Sequence, residues 1–235
     1  MAIRFGTINL VDSASLAASS EVSGYSKDNV KSDLLMKTWK PTANPSWIKF
    51  TPSGACNMMG IIGTGTVTFS VGGVAKISNV AITANKPMCC FFDSSSSEAK
   101  WDFTGTVPVI GRLFLGTAVA PTKGLPLEFE RERVNLSVMT RSRGGVPFVD
   151  ENPKFWKMGF QAAFETDAVV ETLRDGLESY GMEKTMWAFG ISGDITLNTA
   201  YYSPNVLFSR MTEPYKEKFP YPGLGTVSFG VEEAL

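Results

Sequence analysis

The residues whose types and spacing could do chemistry lie in one stretch, where acidic and basic side chains alternate. Glu128, Glu130 and Glu132 occupy every second position, and Arg131 and Arg133 lie between and beyond them. Carboxylate pairs hydrolyse glycosidic bonds, but that chemistry needs one carboxylate on each side of the sugar. Alternate residues of one strand share a face instead. The pattern therefore favours a solvated face or a contact between subunits over an active site.

Other catalytic groups are scarce in the chain. Histidine is absent, which removes the commonest general acid–base group at neutral pH. A nucleophilic serine would need another base; a Ser–Lys pair stays open, but no motif supports one. The segment Gly60–Gly65, GIIGTG, lacks the Gly-Lys-Ser/Thr ending of a phosphate-binding loop, so we interpret it as a β-turn. The sequence predicts no catalytic residue, no cofactor and no enzymatic activity.

The cysteines do not form a metal-binding pattern. Cys56, Cys89 and Cys90 are odd in number and have no CxxC spacing. Asp93 beside a serine run is not accompanied by the spaced oxygen ligands that calcium needs. We therefore predict no metal site, and we interpret the cysteines as buried thiols in a reducing compartment.

Three tryptophans have two interpretations. If Trp39, Trp47 and Trp101 are exposed, they could stack on sugar rings, as in carbohydrate-binding modules. If they are buried, they anchor the core. We favour the core interpretation and keep glycan stacking as the alternative.

Composition limits the other function classes. The chain has 235 residues, with 22 Lys and Arg against 23 Asp and Glu. This balance argues against a nucleic-acid surface, which needs a basic excess. No apolar run of about 18 residues is long enough to span a membrane, and the N-terminus lacks the pattern of a signal peptide. We expect synthesis in a cytoplasm, without secretion by a signal peptide.

The elements that must position these residues are mostly β-strands. In Thr66–Val71, apolar and polar residues alternate, and Gly72-Gly73 then predicts a tight hairpin. Frequent turn signals between short strands predict a β-sandwich for the first half, closed by a strand over Val107–Leu115.

The second half combines strands with one helix. The apolar residues change from odd-numbered to even-numbered positions between Phe129 and Val134, which predicts a bulge or sharp bend there. Residues 141–145 are Arg141, Ser142, Arg143, Gly144 and Gly145, and they predict a loop at the surface or against a neighbouring subunit. A strand over residues 156–164 precedes a helix that begins near Thr166 and ends near Gly181.

Short motifs in the first half resemble a known domain. Ala-Ser-Ser at 18–20, Asn-Val at 29–30, Trp39 before a turn and Trp-Ile-Lys-Phe at 47–50 occur in this order. This order resembles the opening of a galactose-binding-like, discoidin-type jelly roll. The resemblance covers about the first 120 residues and implies that the tryptophans support the fold.

The second half resembles another group of proteins. Ile-Gly-Arg-Leu-Phe-Leu-Gly at 110–116, the Glu/Arg-rich strand, Ser-Arg-Gly-Gly-Val-Pro-Phe-Val at 142–149 and Met-Trp-Ala-Phe at 186–189 follow in order, with a lone helix between the last two. This order resembles the small distal-tail or tail-tip proteins of long-tailed bacteriophages. The resemblance implies a virion structural protein in a tail-tip ring, between the tail tube and the receptor-binding hub or fibres.

Together these observations predict a mainly β protein in two parts. Residues 1–120 would form a galactose-binding-like β-sandwich, and residues 121–235 an α+β tail-assembly domain with one helix packed on an antiparallel sheet. The expected partners are further copies in a three- or six-fold ring, other tail proteins and host glycans. The alternative function is a non-catalytic carbohydrate-binding module.

Overall fold

The chain is mainly β, as the sequence predicts. A computed structural model describes residues 2–6, 8–84, 86–120, 127–135, 137–141, 147–150, 154–166, 168, 170, 171, 174, 175, 178, 186–191, 193–212, 214–222 and 224–234. Their strands pair antiparallel throughout, in two large sheets and one two-stranded hairpin. No described helix is long and apolar enough to cross a membrane.

The elements are numbered in chain order. The helical elements are α1 (Leu10–Ser13), a 3₁₀ helix (Lys27–Lys31) and helical residues between 168 and 178, called α2. The strands are β1 (Ala2–Gly6), β2 (Ala17–Ala18), β3 (Ser46–Phe50), β4 (Cys56–Val71), β5 (Val74–Ile82), β6 (Met88–Ser95), β7 (Ala99–Gly116), β8 (Ala118–Val119), β9 (Leu127–Asn135), β10 (Val138–Arg141), β11 (Pro147–Asp150), β12 (Lys154–Thr166), β13 (Met186–Ile191), β14 (Ala200–Tyr202), β15 (Val206–Met211), β16 (Lys216–Tyr221) and β17 (Leu224–Glu233).

The first sheet is built around two long neighbouring strands. Its order is β14-β6-β4-β7-β3-β2, with β5 also paired to β4. The predicted hairpin at Gly72-Gly73 is confirmed: both glycines have positive φ, 58° and 78°, between β4 and β5. The β-turn expected at Gly60–Gly65 is wrong. These residues continue β4, and register shifts against β7 near Gly63 and Gly65 bend the strand without ending it.

The second sheet has the order β8-β1-β13-β15-β17-β12-β9, with β16 also paired to β17. Most of its strands follow residue 120, but β1 joins it by pairing with β13. In the other direction, β14 joins the first sheet by pairing with β6. The chain thus passes between the sheets, and a division near residue 120 into separately folding domains stays a prediction.

Both large sheets bury two faces over part of their area. One core lies on the first sheet and is covered by α1 and the 3₁₀ helix; it includes Trp39, Phe69 and Trp101. Successive residues of β4, β6, β13 and β15 alternate between cores, which is why these strands are apolar on both faces.

A second core lies between the sheets. In it Trp187 of β13 packs 6.0 Å from the Phe114 ring of β7. A third core lies inside the curl of the second sheet, where Phe5 of β1 contacts Phe160 and Phe229, and α2 adds Val170. The predicted helix on an antiparallel sheet is confirmed.

A buried arginine ties the N-terminal segment to the first sheet. Arg112 of β7 is 4% exposed. Its guanidinium donates to both carboxylate oxygens of Asp12, at 2.7 and 3.0 Å, and lies 3.0 Å from Asp33. Burial raises the pKa of Asp12 above its ordinary value, against the opposing effect of Arg112. Asp12, Asp33 and Arg112 are far apart in the sequence, so no local pattern predicted this cluster.

Candidate functional site

The candidate site is the outer face of the second sheet, on β9, β12, β17 and the two strands that pair with β17, β15 and β16. Register pairs in this sheet share a face, and one face carries the third core. The opposite face carries a row of alternating charges across four strands. The row consists of Glu132 on β9, Lys157 on β12, Glu232 on β17 and Arg210 on β15. The Lys157 ammonium lies 3.7 Å from the Glu232 carboxylate.

Next to this row lies a shallow groove of about 320 Å³. Its floor contains Gly159 of β12 and Gly230 of β17, which are register partners. A Cβ at Gly159 would meet nothing within 4 Å. Glu130 lies at one side of the groove and Lys216 at the other. The groove therefore runs between an acidic side and a basic side.

The acidic side is β9, which forms the end of the sheet. It pairs with β12 from Leu127 to Asn135 without a register shift. The bulge predicted between Phe129 and Val134 is therefore wrong. The alternation of apolar residues changes for another reason. Arg131 and Arg133 cover the Trp156 ring, with guanidinium carbons 5.6 and 5.7 Å from its centroid. Charged side chains thus take positions that the pattern assigned to apolar ones.

A polar cluster surrounds Trp156 at this end of the third core. Glu233 accepts a hydrogen bond from the Trp156 backbone N–H at 3.1 Å. Burial raises the pKa of the Glu233 carboxyl, and this effect outweighs that N–H and the charge of Arg133. Arg131 also donates to the side-chain oxygen of Asn205 at 2.8 Å. These contacts hold the two arginines in place at the sheet edge.

The basic side is β16. Lys216 and Lys218 pair with Ser228 and Thr226 of β17 and share their outer face. Glu217 lies between them on the opposite face and is half-buried. This strand was not predicted from the sequence. The alternation Lys-Glu-Lys, which mirrors Glu-Arg-Glu in β9, was the available signal.

The three tryptophans separate into two groups. Trp39 and Trp101 have no exposed surface, so no sugar can stack on either ring in this structure. They pack on aromatic neighbours. The ring centroids of Trp39 and Phe103 are 5.6 Å apart, and those of Trp101 and Phe69 are 5.0 Å apart. Trp47 is only half-buried, with the Lys49 ammonium 5.7 Å from its ring centroid. Glycan stacking stays a prediction for Trp47 alone.

The other predicted residues are less informative. Glu128 lies on β9 and Arg141 ends β10, where it pairs with Pro147 of β11. Arg143, Gly144 and Gly145 lie outside the described residues.

The three cysteines are buried, as expected. Burial raises the pKa of Cys56 to about 11 and of Cys90 to about 12, and raises that of Cys89 well above its ordinary value. Among the described residues, no group of three or more His, Cys, Asp or Glu side chains could hold a metal ion.

Comparisons with known proteins add little to this geometry. No family model and no curated protein match the chain. One similar solved structure is described as "Crystal structure of SpGH29". It is 9% identical, with a TM-score of 0.39, and the match covers 47% of this chain and 28% of that chain. A likeness at this level carries no argument about this chain.

Proposed function

We propose that this chain is a virion structural protein of a long-tailed bacteriophage that acts through subunit contacts in a tail-tip ring. In this role it links the tail tube to the hub or fibres and does no bond-making chemistry. The observation that carries the proposal is the exposed edge strand β9, which presents four consecutive exposed charged residues, Glu130–Arg133.

An edge strand suits assembly for a physical reason. Every second backbone N–H and C=O of β9 points away from β12, and no described strand pairs with that side. A strand from another chain can satisfy these groups by extending the sheet. Charged side chains on the edge limit such pairing to partners with a complementary pattern.

The resemblance of the chain to tail-tip proteins gives the assembly its biological setting. The motifs that carry this resemblance lie at residues 110–116, 142–149 and 186–189. We expect the ring to contain three or six copies, and closed rings of this kind are built from head-to-tail contacts.

The test is to find the protein in assembled particles. Virions purified from a producing host should contain this chain by mass spectrometry, and antibody labelling should place it at the tail tip in electron micrographs. Its absence from purified virions would refute the proposal.

Glycan binding by Trp47 remains the alternative, and it can be tested separately. A Trp47→Ala variant should fold normally, because the ring is only half-buried, whereas Trp101→Ala should unfold the domain. If the wild-type chain binds glycans on an array and only Trp47→Ala loses that binding without unfolding, the carbohydrate-binding function replaces the proposed one.

A further inference from the structure

We propose that β9 of one copy pairs antiparallel with β16 of the next copy, so that the second sheets of neighbouring subunits join into one continuous sheet. This inference rests on the proposed function, and it names the two surfaces that make the ring contact.

Strand direction permits this pairing. β9 is antiparallel to β12, β12 to β17, and β17 to β16. β9 and β16 therefore run in opposite directions at the two ends of the four-stranded block. When a second copy is placed in line with the first, its β16 lies antiparallel to β9 and continues the alternation. No described strand pairs with the outer edge of β9 or with that of β16.

Charge also permits this pairing, position by position. If Arg131 of β9 lies opposite Glu217 of the next copy, the antiparallel register places Glu130 opposite Lys218 and Glu132 opposite Lys216. Each of the three pairs joins opposite charges.

The faces of the two sheets agree with this register. Glu130 and Glu132 are register partners of Gly159 and Lys157 on the outer face of the sheet. Lys216 and Lys218 lie on the same outer face. Arg131 and Glu217 both lie on the face of the third core, as partners of Met158 and Val227.

Pairing between two β9 strands is disfavoured by the same charges. A two-fold axis perpendicular to a continuous sheet places residues opposite each other that are both odd-numbered or both even-numbered. Centred at Arg131, such an axis would place Glu130 opposite Glu132, and centred at Glu132 it would place Arg131 opposite Arg133. Like charges directly opposite each other are destabilising. In these two registers the charges therefore favour a head-to-tail contact, the kind of contact from which closed rings are built, over a two-fold dimer.

One further observation at β16 supports a contact with a neighbouring copy. Phe219 of this strand is 57% exposed. An exposed aromatic at a sheet edge is typical of a contact surface.

Charge reversal tests the pairing. The variant Glu130→Lys/Glu132→Lys and the variant Lys216→Glu/Lys218→Glu should each associate roughly a hundred-fold more weakly than the wild type, because each places like charges at two contacts. Sedimentation should then report the mass of one chain, 25.5 kDa. The chain with all four changes restores opposite charges at both edges, so it should assemble with itself and not with the wild type.

A matched control and a second measurement keep the test decisive. Glu21→Lys/Glu98→Lys makes the same change in net charge as Glu130→Lys/Glu132→Lys, at exposed residues outside the second sheet, and should assemble normally. The double variant Glu130→Cys/Lys218→Cys should form a covalent ladder on oxidation, while each single variant should not. The buried native thiols should not contribute. This second test needs no charge reversal.

The outcomes separate this inference from the proposed function. Rings that are insensitive to charge reversal and give no covalent ladder would overturn the β9–β16 contact while leaving the tail-tip role intact. Charge-sensitive rings from a chain that is absent from virions would support the contact and refute the tail-tip role. A wild-type chain that stays a single subunit at all concentrations, together with a double-cysteine variant that gives no ladder, would overturn the contact.

Discussion

Replacing Gly60 with alanine tests whether the two large sheets share a core. Gly60 lies on β4 and faces Trp187 of the second sheet. A Cβ at this position would lie 2.8 Å from Cε2 of the indole and 2.9 Å from two other ring carbons. The favourable separation for carbon atoms is about 3.5–4.0 Å, so the sheets or the ring must move.

The ring has little room to move. Trp187 is 1% exposed and is held between Phe114, at 6.0 Å, and Phe208, at 5.7 Å. Overpacking a core costs about 1–3 kcal/mol. The lower entropy of an unfolded chain with alanine offsets about 0.4–1 kcal/mol of that cost. We therefore expect Gly60→Ala to lower the free energy of unfolding by about 1–2 kcal/mol.

The measurement is urea unfolding followed by tryptophan fluorescence, with Gly159→Ala as the matched control. Gly159 also lies within a strand, but its Cβ would meet nothing within 4 Å, so this change should be neutral or stabilising. In a Trp187→Phe background, Gly60→Ala should cost less, because the smaller ring leaves space. Equal effects of Gly60→Ala and Gly159→Ala would refute the packing of Trp187 on β4.

Three further predictions concern buried polar groups. Arg112→Met should lower the free energy of unfolding by about 2–4 kcal/mol. This is less than for a fully buried pair, because the carboxylate of Asp12 is partly exposed and can rehydrate. A loss below about 0.5 kcal/mol in urea unfolding would contradict a stabilising role of Arg112. Burial raises the folded-state pKa of Glu233, so its contribution to stability is present at low pH and is lost as pH rises through that pKa. The stability of Glu233→Gln relative to wild type should therefore increase from pH 4 to pH 7, and the opposite trend would be inconsistent with burial as the cause. Finally, iodoacetamide at pH 8 should leave the native thiols unmodified, since burial raises the pKa of Cys56 to about 11 and that of Cys90 to about 12. The urea-unfolded chain should react at all three cysteines. Fast labelling of the native protein would disagree with their burial.

Local patterns in the sequence predicted the parts of the fold that depend on nearby residues. The alternation in Thr66–Val71 and the glycine pair that follows it indicate a strand and a tight turn, and both are present. Trp39 and Trp101 are buried, as expected for large aromatic side chains that anchor a core. In each case the deciding interactions lie within a few residues or concern a single side chain.

Contacts between distant residues could not be predicted in this way. The bulge expected near Arg131 is absent because Trp156, on the neighbouring strand, offers an aromatic face to charged side chains. Nothing near Gly60 in the sequence indicates that an indole from residue 187 fills the space above it. The candidate site was only half identified for the same reason. The acidic strand was recognised, whereas Lys216 and Lys218 become meaningful only when they lie on the same face as Glu130.

The pairing of β1 with β13 has a consequence for how the protein is made. Ala2 lies opposite Ile191 and Gly6 opposite Trp187, so the first strand leaves the ribosome long before its partner exists. At about 5–20 residues per second, roughly 10–40 s separate the two events. Until β13 is made, Ile3 and Phe5 can pair only with the two-residue strand β8, and a nascent chain halted before residue 186 would present them to chaperones and proteases.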